Sequence, residues 1–157
     1  MSAPEFEIRP ALKSDEGFVA TGWVGTLRAS SRASRQIPAH LHNSYGYELV
    51  RDTMPRCSVS IASPPGDAHT CYGFAAVEVS STAPPTVHMV YVLRPFRRFG
   101  IATKLLEGVA SVGTRVSCWS QDFNNWIFEK YPGLTHVPLH VSHWERSKDG
   151  ERSEDAA

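Results

Sequence analysis

Val92-Leu93-Arg94-Pro95-Phe96-Arg97-Arg98-Phe99-Gly100-Ile101-Ala102 carries most of the information in this chain. The apolar run Val87 to Leu93 leads into it, and a helical pattern leaves it. Leu105, Leu106, Val109 and Val112 keep one face apolar, which predicts a helix from Gly100 to about Val112. A strand, a loop of backbone amides and a helix N-terminus together form a device for holding a diphosphate. Gly100 lacks a Cβ, so it adopts backbone angles that other residues avoid and lets an anion come close. Ala102 is small, Arg94, Arg97 and Arg98 add positive charge, and Thr103 adds a hydroxyl. An ordinary strand-turn-helix with a solvated basic loop is the plainer reading of the same residues. The β-branched strand before the turn and the Leu-Leu helix after it favour the anion site.

Composition sets the frame. A chain of 157 residues is about one domain and can bury a real core. Sixteen basic and sixteen acidic residues balance, so no global pull toward nucleic acid or a membrane surface is expected. No apolar run approaches the length of about 18 residues expected of a membrane span. The N-terminus lacks the basic and apolar regions of a signal peptide. Cys57, Cys71 and Cys118 each lie in an apolar, strand-like context and read as reduced core thiols of a cytoplasmic protein.

The expected chain order starts with a strand at Glu7 to Pro10. Ser14 or Asp15 caps a helix running toward Leu27, with Phe18, Val19, Trp23 and Val24 as its apolar stripe. Residues 28 to 42 read as an irregular or mobile loop. Asn43 caps a second helix through about Asp52, with Tyr47 and Val50 inward. Strands follow at Cys57–Ala62, Cys71–Val79 and Thr86–Leu93 as an antiparallel meander, separated by turn-rich clusters. After the motif helix come a strand at Arg115–Trp119 and a helix capped by Ser120 or Asp122. That helix carries Phe123, Trp126, Ile127 and Tyr131 and ends at Pro132-Gly133. A final strand pair spans Leu134 to Trp144. One domain is therefore expected over residues 1–144, followed by a charged tail, 145–157, expected to be disordered.

The pattern Arg-x-x-Gly-x-Ala, Arg97 to Ala102, resembles the acetyl-CoA signature of the GNAT N-acetyltransferase superfamily. The order of elements over residues 7 to 144 is similar too, although only Val87–Leu106 is specific. The resemblance implies an α+β fold of α/β/α layers, with a mostly antiparallel mixed sheet splayed between its fourth and fifth strands. It implies acetyl-CoA as co-substrate, with the pantetheine arm in the splay. On that basis Val92 and Leu93 would offer backbone contacts to pantetheine. Arg97, Arg98, Phe99, Gly100, Ile101 and Ala102 would hold the pyrophosphate, with Thr103 adjacent. Asn125 would reach the coenzyme from the penultimate helix; an ordinary helix surface is an equal reading of Asn124 and Asn125.

Transfer to an amine needs a base, and histidine is the natural one near neutral pH. His88 lies on the fourth strand, where the arylalkylamine branch of the superfamily places a histidine. The stretch Val92 to Arg97 is also similar to that branch's Val-x-Arg-x-Phe-Arg. The branch's second histidine is Thr86 here. A hairpin pairing Val79 with Val87 would set Glu78 opposite His88, on one sheet face. A carboxylate there would orient the imidazole and raise its basicity. The alternative is that both side chains point to solvent. Many members carry Tyr-Glu-Lys in the penultimate helix, the tyrosine protonating the departing thiolate. This chain has Phe128-Glu129-Lys130, and Tyr131 is the nearest phenol. Tyr91 is expected to face away from His88.

His136, His140 and His143 read as surface histidines, with no metal site expected. Trp23, Trp119, Trp126 and Trp144 read as core, and His40 and His42 fall in the loop at 28–42. The favoured function is acetyl transfer from acetyl-CoA to a small-molecule or peptide amine. A non-catalytic acyl-CoA-binding domain, favoured by Phe128, stays open. So does a nucleic-acid-associated modifier, suggested by Arg28, Arg32 and Arg35 and opposed by the balanced charge. Dimers are common in the superfamily, so a homodimer also stays open.

Overall fold

In the computed structural model, residues 3–117 and 121–137 are described. In chain order the elements are β1 (Glu7–Pro10), α1 (Glu16–Ala29), α2 (Arg32–Gln36), α3 (Ala39–Thr53), β2 (Cys57–Ser63), β3 (Gly73–Glu78) and β4 (Thr86–Val92). They continue with α4 (Ile101–Leu105), β5 (Arg115–Val116), α5 (Gln121–Lys130) and β6 (Thr135–His136). The six strands lie in sequential order in one sheet. β1 to β4 form an antiparallel meander, and β5 and β6 join in parallel. The expected mixed α+β sheet is the observed one.

Period-two alternation sends successive side chains to opposite sheet faces. Ala75, Val77, Val90 and Val92 pack on one face with Ile101, Leu105 and Leu106 from α4 and its end and Ile127 from α5. Ile61, Phe74, Ala76 and Met89 pack on the other with Val19, Trp23 and Val24 of α1 and Val50 of α3. Each such buried side chain contributes about 1.5–3 kcal/mol over its exposed form. Helix α1 sits close to the sheet because it presents Gly22 there. A Cβ at that position would lie 2.9 Å from a ring carbon of Phe74 and 3.0 Å from one of Tyr91.

Several expectations change. The segment 28–42 is not an irregular loop: it holds α2 and the first turn of α3. Ser31 caps α2 by accepting the Ser34 N–H at 3.0 Å, and α3 starts behind Pro38 rather than at Asn43. His40 and His42 are therefore helical, and His42 is buried. Tyr47 is exposed, not inward, whereas Val50 is buried as expected. Asp15 does not cap α1 with its side chain. It lies in a short turn, Lys13–Asp15, and takes the Leu12 N–H and the Arg9 guanidinium, each at 2.7 Å. The motif helix spans Ile101–Leu105 only, because Gly108 turns left-handed (φ 77°) and ends the periodicity that Val109 and Val112 continue in the sequence. Strand β3 is shorter than expected at both ends.

Trp23 is in the core, and Trp126 is half-buried. Cys57 and Cys71 are half-buried, their thiols on the Thr53 carbonyl and the Asp15 carboxylate at 3.4 Å each. Cys118, Trp119, His140, His143, Trp144 and the tail at 145–157 lie outside the described residues. Among the described residues no group of three metal-ligating side chains gathers, and no helix is long and apolar enough to cross a membrane.

Candidate active site

The β3–β4 ladder holds the first feature of the site. Ala76 pairs with Met89, but Val77 pairs with Val87, so His88 is an extra residue, a β-bulge on β4. A bulge changes where side chains point. The expected Val79–Val87 register is therefore corrected: Glu78 lies opposite Thr86. The expected partnership survives it, because the bulge turns His88 toward Glu78, and Nε2 and Oε2 are 2.7 Å apart. The face expected for Tyr91 is corrected for the same reason. One extra residue reverses the parity, so Tyr91 joins Phe18 and Phe74 on the α1 face, where the imidazole also lies against Trp23.

The imidazole side chain is fully buried. Its Nδ1 is 2.6 Å from the Ser117 hydroxyl. Against an ionised Glu78, which only accepts hydrogen bonds, Nε2 carries the hydrogen; in the neutral imidazole Nδ1 then accepts from Ser117. Arg56 Nε lies 3.6 Å from the other oxygen of Glu78 and adds a positive charge behind it. The order along this chain is Arg56, Glu78, His88, Ser117. Neither Ser117 nor Arg56 was singled out in the sequence. Ser117 was within reach of strand parity, since it follows the core residue Val116 and so faces the side opposite to it. Arg56 ends a helical turn far away in sequence and gives no such signal.

Ser117 also continues the contact between β4 and β5. β5 pairs at Thr86↔Arg115 and Val87↔Val116, and the Ser117 N–H reaches the Val87 carbonyl at 3.0 Å. Residues 118–120, which follow directly, lie outside the described residues, so the expected splay of β4 from β5 does too. At the far end of β4, Leu93 N–H is given to the Tyr72 carbonyl at 2.8 Å, toward β3. Val92 therefore presents its N–H and carbonyl to the opposite edge, and Arg97 Nε holds that carbonyl at 2.9 Å. Of the two residues expected to contact pantetheine, Leu93 spends its N–H on the β3 side, whereas Val92 turns its backbone groups away from β3.

The turn after β4 is pinned by Phe96, whose ring stacks on Tyr72 with centroids 4.0 Å apart. Arg98 (φ 70°) and Gly100 (φ 81°) are both left-handed, a conformation that occurs in the anion-binding turns formed by successive backbone N–H groups. A Cβ built on Gly100 meets nothing within 4 Å, so the loop opens onto free space. Ile101 is buried under the loop and serves packing, while Arg97 and Arg98 are exposed. A cavity of about 510 Å³ adjoins it, lined among others by Gly100, Thr103, Lys104, Glu107, Lys130 and Tyr131. Lys130 donates to the Thr103 hydroxyl at 2.7 Å. The left-handed turn and two lysines against one glutamate fit a bound diphosphate. Asn125 is exposed on α5.

Tyr131 is not brought together with His88. It packs on the α4 face, edge-on to Trp126 with centroids 6.2 Å apart. Burial, and then the nearby Glu107 carboxylate, push its phenol above the ordinary range.

No protein-family model matches the chain, and no curated protein does. Solved structures do. YycN from Bacillus subtilis, whose own assignment as an acetyltransferase is provisional, superposes with a TM-score of 0.57 at 10% identity, over 82% of this chain and 91% of that one. The PaiA N-acetyltransferase of Thermoplasma acidophilum, solved with coenzyme A, gives 0.53 at 12% identity, over 80% and 87%. A protein of Staphylococcus aureus, provisionally assigned to the GNAT acetyltransferases, gives 0.50 at 15%, over 83% and 98%. The match to a GCN5-related N-acetyltransferase from Rhodopseudomonas palustris spans 63% of that chain. At these identities the likeness is one of architecture. This chain has the fold of the GNAT N-acetyltransferases.

Proposed function

We propose that the chain is an acyl-CoA-dependent N-acyltransferase that moves an acetyl group from acetyl-CoA to an amine. One observation carries this reading: the buried His88 imidazole holds Glu78 at 2.7 Å on Nε2 and Ser117 at 2.6 Å on Nδ1, on β4 beside β5. The GNAT-like fold and the turn after β4 support it. Bound there, acetyl-CoA would supply an activated acyl carbon. The N–H groups from Arg98 to Ala102 would hold its diphosphate, assisted by Lys104 and Lys130, with Thr103 beside them. The N–H of Val92 would guide the pantetheine arm along β4.

His88, oriented by Glu78, accepts the proton that the amine loses, through the Ser117 hydroxyl or in its place. Tyr131 keeps its proton at neutral pH and is the donor available on the coenzyme side for the departing thiolate. The acceptor class is an amine of a small molecule or peptide, and the similarity of Val92–Arg97 to the arylalkylamine branch puts arylalkylamines first in a test panel.

A second reading, a binding domain without turnover, is favoured by Phe128 at the tyrosine position and by the enclosure of the imidazole. Thiol release from acetyl-CoA with and without a panel of amines separates the two. Amine-dependent release supports transfer. Coenzyme binding without release under any amine supports the binding domain.

A further inference from the structure

A serine hydroxyl, an imidazole and a carboxylate stand in line: Ser117 Oγ to His88 Nδ1 at 2.6 Å, and His88 Nε2 to Glu78 Oε2 at 2.7 Å. This is the arrangement that activates a serine: a nucleophile within hydrogen-bond reach of a base, the base oriented by a third group. A base that acts on an incoming amine needs a nitrogen facing that amine. In the structure as it stands, the His88 side chain is fully buried and Nδ1 lies on the Ser117 hydroxyl, so an amine reaches that nitrogen only by way of the hydroxyl or once the hydroxyl has given up its place. The group it is placed to deprotonate is the Ser117 hydroxyl. That serine is itself buried beside β4, its N–H on the Val87 carbonyl at 3.0 Å. Trp23, which lies against the imidazole, carries a buried indole N–H that has no acceptor among the described residues.

We infer that Ser117 is an acyl-accepting nucleophile, so that the chain forms an acyl-serine from acyl-CoA and hydrolyses the thioester when no amine intercepts it. This rests on the coenzyme reading above. In the first step Ser117 Oγ bonds to the thioester carbonyl carbon, and its proton passes to His88 Nδ1. The carbon–sulfur bond breaks, and the thiolate leaves with that proton as free coenzyme A. In the second step a water, or an amine, gives a proton to His88 and attacks the ester carbonyl. The bond to Ser117 Oγ breaks and the serine takes the proton back. The sum is acyl-CoA and water to carboxylic acid and coenzyme A, or acyl-CoA and amine to amide and coenzyme A. Glu78 holds the Nε2 hydrogen and stabilises the imidazolium in both steps.

The test is made on the full chain with acetyl-CoA and no amine. The protein is quenched in acid within the first turnovers, and intact and peptide masses are measured. Expected is one added acetyl group on the peptide containing Ser117, with a burst of free thiol equal to the protein concentration before slow release. Ser117→Ala is expected to lose both the adduct and the burst. Ser117→Cys, which keeps a nucleophile in place, is expected to regain the adduct as a thioester. An unmodified Ser117 peptide in a protein that gives binding heat with acetyl-CoA overturns the acyl-serine and leaves the coenzyme reading standing. Absence of binding heat overturns both. The wild-type mass alone decides if Ser117→Ala does not fold.

Discussion

Replacing Gly100 by valine separates backbone strain from coenzyme recognition. Gly100 sits at φ 81°, ψ 1°, a left-handed conformation that costs other L-residues roughly 1–2 kcal/mol. A Cβ there meets nothing within 4 Å, so the variant has no clash to relieve within the protein. The added methyl groups instead occupy the open space over the loop amides. If the loop keeps its shape, they stand where phosphate oxygens would lie, and each lost charge-assisted hydrogen bond costs about 1.5–3 kcal/mol. If the loop relaxes, the strain reappears as the cost of recovering the binding shape. The two routes together bracket a weakening of coenzyme A binding of about 1–3 kcal/mol, roughly 5- to 150-fold in Kd.

Gly66 provides the control: it is also left-handed (φ 72°), also open to 4 Å, and lies in the turn between β2 and β3. Gly66→Val is expected to lower stability in urea by about 1–2 kcal/mol and to leave the calorimetric titration with coenzyme A unchanged. Wild-type affinity in Gly100→Val, or an equal loss in Gly66→Val, would refute the assignment of the loop.

Other consequences concern the buried polar pairs. In Glu78→Gln the side-chain oxygen still accepts from His88 Nε2 but carries no charge. The difference of about 1–1.5 kcal/mol between charged and neutral hydrogen bonds slows thiol release about 5- to 15-fold, with coenzyme binding heat unchanged. The Asp15 carboxylate takes both Arg9 nitrogens and the Leu12 N–H, and the Arg9 hydrogen bond, the largest cause, holds it below the ordinary 3.8. Asp15→Ala leaves a largely buried guanidinium unpaired and is expected to cost about 3–5 kcal/mol in urea unfolding at neutral pH. A depressed folded-state value means that this stabilisation is present above about pH 4 and is lost as pH falls through the lowered value. In acid titrations followed by circular dichroism, Asp15→Asn should therefore lose less stability below pH 4 than the wild type does. Cys71, pushed up to about 11 by burial and then by Asp15, should react with a thiol reagent at neutral pH far more slowly than a free cysteine.

The sheet and its loop were legible because their signals are local and periodic. Alternation from Cys57 to Leu93 marks an antiparallel meander, and Gly100 between an apolar strand and an apolar turn marks the loop. What was illegible depends on a single inserted residue or on long-range packing. The bulge at His88 leaves no trace in composition, so the pairing of Glu78 with His88 was reached through a register the chain does not use. The same bulge moved Tyr91 to the opposite face. Gly108 stops α4 after Leu105, although Leu106 and Val109 extend the apolar spacing past it. They pack as turns against the same core. The start of α3 was hidden by the polar run before it, and Pro38, which favours the first turn of a helix, was the signal passed over. Ser117 needed the parity of β5 and the bulge on β4 together, which no single stretch displays.

Titration of the isotope-labelled chain with coenzyme A, followed by amide chemical shifts, tests most directly whether the bend after β4 grips a diphosphate. The account predicts that the amides of Arg98, Phe99, Gly100, Ile101 and Ala102 move most, with Val92 following as the pantetheine arm seats. Saturating shifts confined to other parts of the surface, or no shifts at all from a folded protein, would contradict it.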